Sequence, residues 1–149
     1  MDFESTHVIN IHTCLVAINS VCLCLNQSRR TVMTRSQPRV HRFANLKFQP
    51  RFEYSDQAAA AQVCGAEDMS ELASGYGRLT NARFPWTIKY DEILIVLEGE
   101  LTVHANCTSL TAGQFDSIWL PKGTSLEYEA ENALIAYAIH PANWAEHEN

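Results

Sequence analysis

The pattern of apolar and polar positions becomes regular after Met69. From there, runs of about five to eight residues rich in β-branched and aromatic side chains alternate with Gly, Pro, Asn and Asp, as in short strands joined by tight turns. The predicted strands are residues 72–79, 86–90, 92–97, 100–105, 108–111, 116–120, 126–128 and 134–140. So many short strands predict an all-β fold, a single small barrel that leaves few sheet edges exposed.

The first half of the chain has a weaker pattern. Residues 37–52 mix basic and aromatic side chains with two prolines, which predicts an extended arm with at most one short strand. Residues 56–64 contain four consecutive alanines before Gly65, which predicts a short helix or a polar loop. We therefore expect one domain over residues 37–149. Residues 1–36 are expected to be a disordered extension or a start upstream of the native one, because Met33 opens a polar segment typical of an N-terminus.

Composition and charge restrict the class of protein. The chain has 149 residues, of which 46% are hydrophobic and 19% charged, a balance typical of a folded protein. The net charge is −6 and no predicted strand collects Lys and Arg, so nucleic acid is not an expected partner. Polar residues interrupt the apolar stretch 7–25, and acidic residues precede it, so we expect neither a membrane anchor nor a secretion signal. Five cysteines without a C-x-x-C pair favour free thiols and a cytoplasmic location.

Two segments resemble the two sequence motifs of the cupin superfamily. Residues 84–101 place six residues between Glu92 and Gly99, and a glycine suits the tight turn between two barrel strands. Residues 115–125 carry an acid, an apolar strand and then Pro121 and Gly123, with Phe115 where a glycine is expected. The resemblance implies a cupin barrel, that is, a double-stranded β-helix or jelly roll.

Four short sequence segments resemble, more specifically, the C-terminal domain of the ethanolamine-utilisation EutQ family. The resemblance rests on Phe-Pro-Trp-Thr at 84–87, Tyr-Asp-Glu at 90–92, Leu-Pro-Lys-Gly-Thr-Ser at 120–125 and Pro-Ala-Asn-Trp at 141–144. It implies a homodimer and a link to ethanolamine or related amine and aldehyde catabolism. EutQ-like proteins have been described as acetate kinases that use ATP and Mg²⁺, so the resemblance also implies Mg²⁺ as a cofactor to be considered.

The histidines of metal-binding cupins are absent from the motifs. Such cupins supply His-x-His before the glutamate and a third histidine after Pro-x-Gly. Alignment on Glu92 places Pro85 and Thr87 at the first two positions, or Trp86 and Ile88 if the loop is one residue shorter, and Leu126 at the third. We therefore expect no transition metal, whereas carboxylates and hydroxyls would suit Mg²⁺.

The remaining polar and aromatic residues of the motifs are the candidate ligand pocket. These are Glu92, Tyr90, Trp86, Thr87, Lys89 and Glu127. The period of a strand means that Leu126 and Glu127 cannot both face inward without a bulge, so the orientation of Glu127 stays open. Glu92 has two interpretations, a ligand-binding carboxylate or a structural partner of Lys89 or Arg83.

Three functions are compatible with these residues. The first is a binding module that holds a small organic ligand, such as a cationic amine, between aromatic rings and Glu92, in an accessory role. The second is an acetate-kinase-like phosphotransferase, although the sequence has no G-x-x-x-x-G-K-[ST] phosphate loop. The third is a structural dimerisation module. A metal-dependent dioxygenase is not expected, and whether the protein is an enzyme stays open.

Overall fold

Eight antiparallel strands make up most of residues 36–147, the part of the chain that the computed structural model describes. The strands are β1 Gln49–Pro50, β2 Ala58–Cys64, β3 Ala73–Thr87, β4 Asp91–Gly99, β5 Leu101–Ala105, β6 Thr108–Ala112, β7 Ser117–Leu120 and β8 Ser125–His140. Short 3-10 turns occupy Phe43–Asn45, Phe52–Tyr54, Ala66–Asp68 and Trp144–His147. The all-β prediction is confirmed. The predicted extension, residues 1–36, lies outside the described residues except for Ser36.

The longest strand, β8, joins the two sides of the barrel. It pairs with β3 from Thr87 opposite Ser125 to Ala73 opposite Ile139. Its first half also pairs with β5 and its second half with β4, while β7 lies beyond β4. β8 thus pairs with β3 along one edge and with β5 and β4 along the other, so all eight strands belong to one sheet around a common core.

The core follows the period of the strands. Along β4, buried Glu92, Leu94 and Val96 alternate with the outward-facing Ile93 and Ile95. The largest fully buried side chains are Ile88, Leu94, Leu101, Leu120, Val96 and Val103. Full burial of each such aliphatic side chain stabilises the fold by about 1.5–3 kcal/mol.

The alanine-rich segment is a strand, so the prediction of a helix or polar loop for residues 56–64 is wrong. β2 lies between β1 and β3, and its Ala58 and Ala61 are buried. Pairing with β3 runs from Ala58 opposite Leu79 to Cys64 opposite Ser74, with an irregularity between Gln62 and Cys64, and this tertiary context overrides the helix propensity of alanine. Across residues 36–147, no helix has the length and apolar character needed to cross a bilayer.

Two pairs of predicted strands also need correction. Residues 73–79 and 86–87 belong to one continuous strand, β3, whereas residue 72 precedes it and residues 88–90 lie in the connection to β4. Residues 126–128 and 134–140 are likewise joined in β8, because the polar residues between them continue the pairing with β3 and direct their charges outward. The polar residues between 128 and 134 had predicted a break between two strands, because polar composition is typical of loops.

The backbone conformation of two turns explains the residues at two motif positions, Gly99 and Phe115. Gly99 has φ +74, and a Cβ there would lie 1.9 Å from the carbonyl oxygen of Asn132, so only glycine fits. Phe115 has φ 70 and takes the left-handed conformation for which the motif has a glycine. Its backbone N–H donates to the oxygen of Val96 at 2.7 Å, so hydrogen bonding across the turn holds this conformation.

Candidate functional site

A cavity of about 250 Å³ lies inside the barrel, between its strands and the segments before β2 and after β8. Aliphatic and aromatic side chains form most of its walls, and the aromatic ones include Tyr54, Phe84, Trp86, Tyr90, Tyr128 and Trp144. Half-exposed Arg51 and exposed Phe52 also line it, so its rim reaches the surface. Its one carboxylate belongs to Glu92.

Glu92 carries the most unusual electrostatics of the described residues. Its side chain is the single polar or charged one classed as buried among residues 36–147, and the residue is 7% exposed. The Tyr128 hydroxyl donates a hydrogen bond to Oε2 at 3.4 Å. Burial raises the pKa of Glu92 to about 7, although the Tyr128 bond and the charge of Arg51 oppose the rise. Near neutral pH this carboxyl therefore exchanges a proton readily, and its charged form lacks solvation.

The neighbouring tyrosines remain protonated. Burial raises the pKa of Tyr90 and of Tyr128, and the negative charge of Glu92 raises both further. The same two causes raise the pKa of Tyr137, with burial the larger. The cavity thus presents phenol hydroxyls as hydrogen-bond donors around one carboxylate.

Ring contacts hold the aromatic walls in place. Tyr54 stacks on Phe84 with ring centroids 4.4 Å apart, and Phe84 meets Tyr128 at 5.5 Å. On the other side, Tyr90 and Trp144 are in edge contact at 5.1 Å. These packed rings present faces and edges in fixed directions, so the cavity is formed before any ligand arrives.

The segment Arg51–Tyr54 forms one part of the rim. Phe52 has φ 48, an uncommon conformation for a bulky residue, and its ring stacks on Trp86 with centroids 5.0 Å apart. The Arg51 guanidinium lies 4.5 Å from the centre of the Phe52 ring. The backbone N–H of Arg51 donates to the oxygen of Ala58 at 2.9 Å, which fixes the segment against β2.

The structure places three of the candidate residues, Glu92, Tyr90 and Trp86, in the lining of one cavity. Thr87, Lys89 and Glu127 lie outside it. Thr87 is exposed and contacts the Ser125 hydroxyl at 3.3 Å, while Lys89 lies half-buried in the connection between β3 and β4. The alternation of β3 directs Trp86 inward and Thr87 outward, whereas Lys89 lies beyond the end of this strand.

Glu127 lies on the outer face of β8. Leu126 is 6% exposed and faces the core, so the period of the strand turns Glu127 outward. The Glu127 carboxylate accepts a hydrogen bond from Arg83 Nε at 3.0 Å, and Arg83 also lies 3.7 Å from Glu129. Arg83 is thus engaged on the outer surface and is not the partner of Glu92.

The inward positions before Glu92 are occupied by Trp86 and Ile88, as in the alignment with the loop one residue shorter, and not by Pro85 and Thr87. Pro85 and Thr87 are exposed, whereas Trp86 lines the cavity and Ile88 is fully buried. The third position, Leu126, is buried in the core. Within residues 36–147, no three His, Cys, Asp or Glu side chains are grouped so that they could hold a metal ion.

Sequence reasoning missed the contribution of the arm. Arg51 and Tyr54 line the cavity but precede the first motif by thirty residues or more. The sequence signal for Arg51 is the mixture of basic and aromatic residues in the segment 37–52, and Tyr54 lies just beyond that segment. Phe84 and Trp144, by contrast, belong to segments that carried the family resemblance.

Comparison with known proteins gives one consistent family. Residues 32–146 match the family described as "Ethanolamine utilisation protein EutQ". The chain is 42% identical over 79 residues to acetate kinase EutQ of Escherichia coli K12, an alignment covering 52% of this chain and 34% of that protein. The chain thus spans about a third of that relative's length.

Solved structures agree with this result. The crystal structure of a putative ethanolamine utilization protein Q from Salmonella typhimurium LT2 is similar at a TM-score of 0.66 and 33% identity, covering 70% of this chain and 86% of that chain. The cupin domain of Schizosaccharomyces pombe Cnp3 is similar at a TM-score of 0.57 and 12% identity, covering 72% and 77%. At that identity the second likeness concerns the fold alone, which is the cupin fold.

Proposed function

Because the chain belongs to the EutQ family of ethanolamine-utilisation proteins, we propose that its cupin barrel is an accessory module that binds a small organic amine beside Glu92. The module would serve ethanolamine or related amine and aldehyde catabolism in the cytoplasm, where Cys64 and Cys107 would remain free thiols. The single observation that carries the proposal is a buried carboxylate inside an aromatic cavity.

The chemistry of the cavity favours a cation. A carboxylate without solvent is costly to keep charged, and an ammonium group would compensate that cost. Aromatic faces add a cation–π attraction of about 0.5–2 kcal/mol. The volume, about 250 Å³, is just below the range of roughly 300–1,000 Å³ found for pockets of drug-sized ligands. The ligand should therefore have only a few non-hydrogen atoms.

Binding should be coupled to the protonation of Glu92. The pKa of this carboxyl is about 7, and an ammonium group beside it would lower that value. At neutral pH, the fraction of protein molecules in which Glu92 is protonated must then release that proton when the amine binds. Affinity should weaken as the pH falls below about 7, because a protonated Glu92 offers no charge.

Isothermal titration calorimetry with ethanolamine at pH 8 tests the proposal. Wild type should bind, and Glu92→Gln should lose about tenfold or more in affinity, the loss expected for a hydrogen bond to a charged group. Glu98→Gln is the matched control, since Glu98 is an exposed carboxylate on the same strand. Equal affinities for all three proteins, or no binding by wild type, would contradict the proposal.

A second candidate is acetate kinase activity, which is favoured by the name of the Escherichia coli relative. The cavity fits ATP and Mg²⁺ poorly, because it offers one carboxylate for the metal and its volume is small for a nucleotide. An assay for acetyl phosphate formed from acetate and ATP-Mg²⁺ decides this candidate. Activity that survives in Glu92→Gln would place the reaction elsewhere in the protein.

A homodimer formed through an outer sheet face is part of the same proposal. Ile93 and Trp119 lie opposite each other on β4 and β7, and they are 38% and 59% exposed. Ile95 extends this apolar face beside half-buried alanines of β8. A second copy of the face would cover these side chains. Light scattering should give a dimer for wild type and a monomer for Trp119→Lys, whereas a monomeric wild type would contradict this part of the proposal.

A further inference from the structure

The rim of the cavity and its interior carry opposite charges, and from this we propose that the ligand is dipolar. The ligand would be a small primary amine with an anionic group, a carboxylate or a phosphate ester, a few bonds away. Its ammonium group would lie beside Glu92 and its anionic group at Arg51. This inference rests on the proposed function and names the chemical class of the ligand.

Arg51 is placed to receive an anion. Arg51 and Glu92 line the same cavity. Arg51 is half-exposed, whereas Glu92 is buried, so the positive charge lies at the outer part of the cavity and the carboxylate at its inner part. Its guanidinium packs on the Phe52 ring, and among the described residues no salt bridge joins Arg51 to a carboxylate. Its hydrogen-bond donors are therefore available for bidentate contact with a carboxylate or phosphate.

The segment that carries Arg51 is held in a costly conformation. Phe52 has φ 48, and a bulky residue in the left-handed region is strained. The hydrogen bond from the Arg51 N–H to Ala58 and the Phe52–Trp86 stack maintain this conformation. Strain of this kind concentrates at binding sites, and its effect here is to hold the guanidinium at the rim of the cavity.

The positive charge of Arg51 disfavours the binding of an amine that carries no anionic group. The positive charge of Arg51 lowers the pKa values of Glu92, Tyr90 and Tyr137, so its field extends to the inner wall. The same field repels an ammonium group placed beside Glu92. An anionic group on the ligand, bound at Arg51, would offset that repulsion, whereas the hydroxyl of ethanolamine would not.

The test compares ligands that share an aminoethyl group. Ethanolamine, β-alanine and O-phosphoethanolamine carry a hydroxyl, a carboxylate and a phosphate at the other end. Calorimetry at pH 8 should give β-alanine or O-phosphoethanolamine an affinity about tenfold or more above that of ethanolamine, the effect of one charge-assisted contact. Whichever of the two binds more tightly identifies the anionic group.

Variants of Arg51 make the test specific. Arg51→Gln should remove the preference for the dipolar ligands while leaving ethanolamine binding equal or stronger, because a repelling charge is gone. Arg51→Lys should restore part of the preference, and Arg42→Gln, which changes an exposed arginine outside the cavity, should alter nothing. A loss of all binding in Arg51→Gln, including that of ethanolamine, would indicate a structural role and overturn the inference.

Failure of this inference differs from failure of the proposed function. If ethanolamine binds as tightly as both dipolar ligands and Arg51→Gln changes none of them, the inference is overturned and the amine site stands. If no ligand of the three responds to Glu92→Gln, the amine site itself is wrong, and the dipolar class falls with it.

Discussion

Glu92→Gln should make the protein more stable at alkaline pH and leave it nearly unchanged at pH 5. The folded protein holds the Glu92 proton up to about pH 7, whereas the unfolded chain releases it near the ordinary value of 4.5. Between these values the native state binds more protons than the unfolded state. The free energy of unfolding therefore falls as the pH rises through this window, by the general linkage relation.

The size of the effect follows from the two pKa values. The interval from 4.5 to about 7, at about 1.4 kcal/mol for each pKa unit, gives about 3 kcal/mol. Little is subtracted for solvent screening, because Glu92 is 7% exposed. Glutamine has nearly the same shape without a titrating proton, so the variant does not incur this loss. Above pH 8 it should exceed wild type in stability by about 3 kcal/mol.

Urea denaturation at intervals between pH 5 and pH 8.5 measures this difference directly. Glu98→Gln is the control, because Glu98 is exposed on the same strand and its substitution should give no pH-dependent difference. A Glu92→Gln protein that is less stable than wild type at pH 8 by about 3–5 kcal/mol would show that Glu92 neutralises a buried cation. A difference that does not vary with pH would refute the assigned pKa.

Three further predictions concern the fold and metal content. Removal of residues 1–32 should leave the melting temperature within about 3 °C of the full chain, since β1 to β8 all lie within residues 49–140. Gly99→Ala should cost at least about 3 kcal/mol in urea denaturation, because its Cβ would meet the Asn132 oxygen, whereas Gly123→Ala, with φ +88 but open space, should cost about 1–2 kcal/mol. Elemental analysis of purified protein should find less than one iron, nickel, copper or zinc per chain, and a stoichiometric transition metal would contradict the assignment of Trp86, Ile88 and Leu126 to the histidine positions.

The sequence could predict those parts of the site that follow from strand period and turn chemistry. Glu92 faces inward with Leu94 because both lie on one face of β4, and Gly99 has φ +74 in the tight turn between β4 and β5. These features are local, so spacing alone determines them. The same period also required one of Leu126 and Glu127 to face outward, although it did not determine which.

The other parts depend on contacts between distant segments. β2 is a strand because β3 pairs with it, and its alanines carry no strand signal of their own. Arg51 reaches the cavity because its segment packs against β2 and Trp86, a contact that no periodicity encodes. The inward position of Trp86 depends on the length of the loop before Glu92. The first alignment placed Pro85 and Thr87 at the histidine positions, and a loop one residue shorter places Trp86 and Ile88 there.

The carboxyl carbon resonance of Glu92, followed by NMR across pH with and without ligand, tests the central claim most directly. Without ligand, the account predicts a titration midpoint near 7. With β-alanine or ethanolamine at saturation, the midpoint should fall by at least about one unit, because a bound ammonium stabilises the carboxylate. A midpoint near the ordinary value of 4.5, or one near 7 that neither amine moves, would contradict the claim that Glu92 is a desolvated carboxylate that binds an amine.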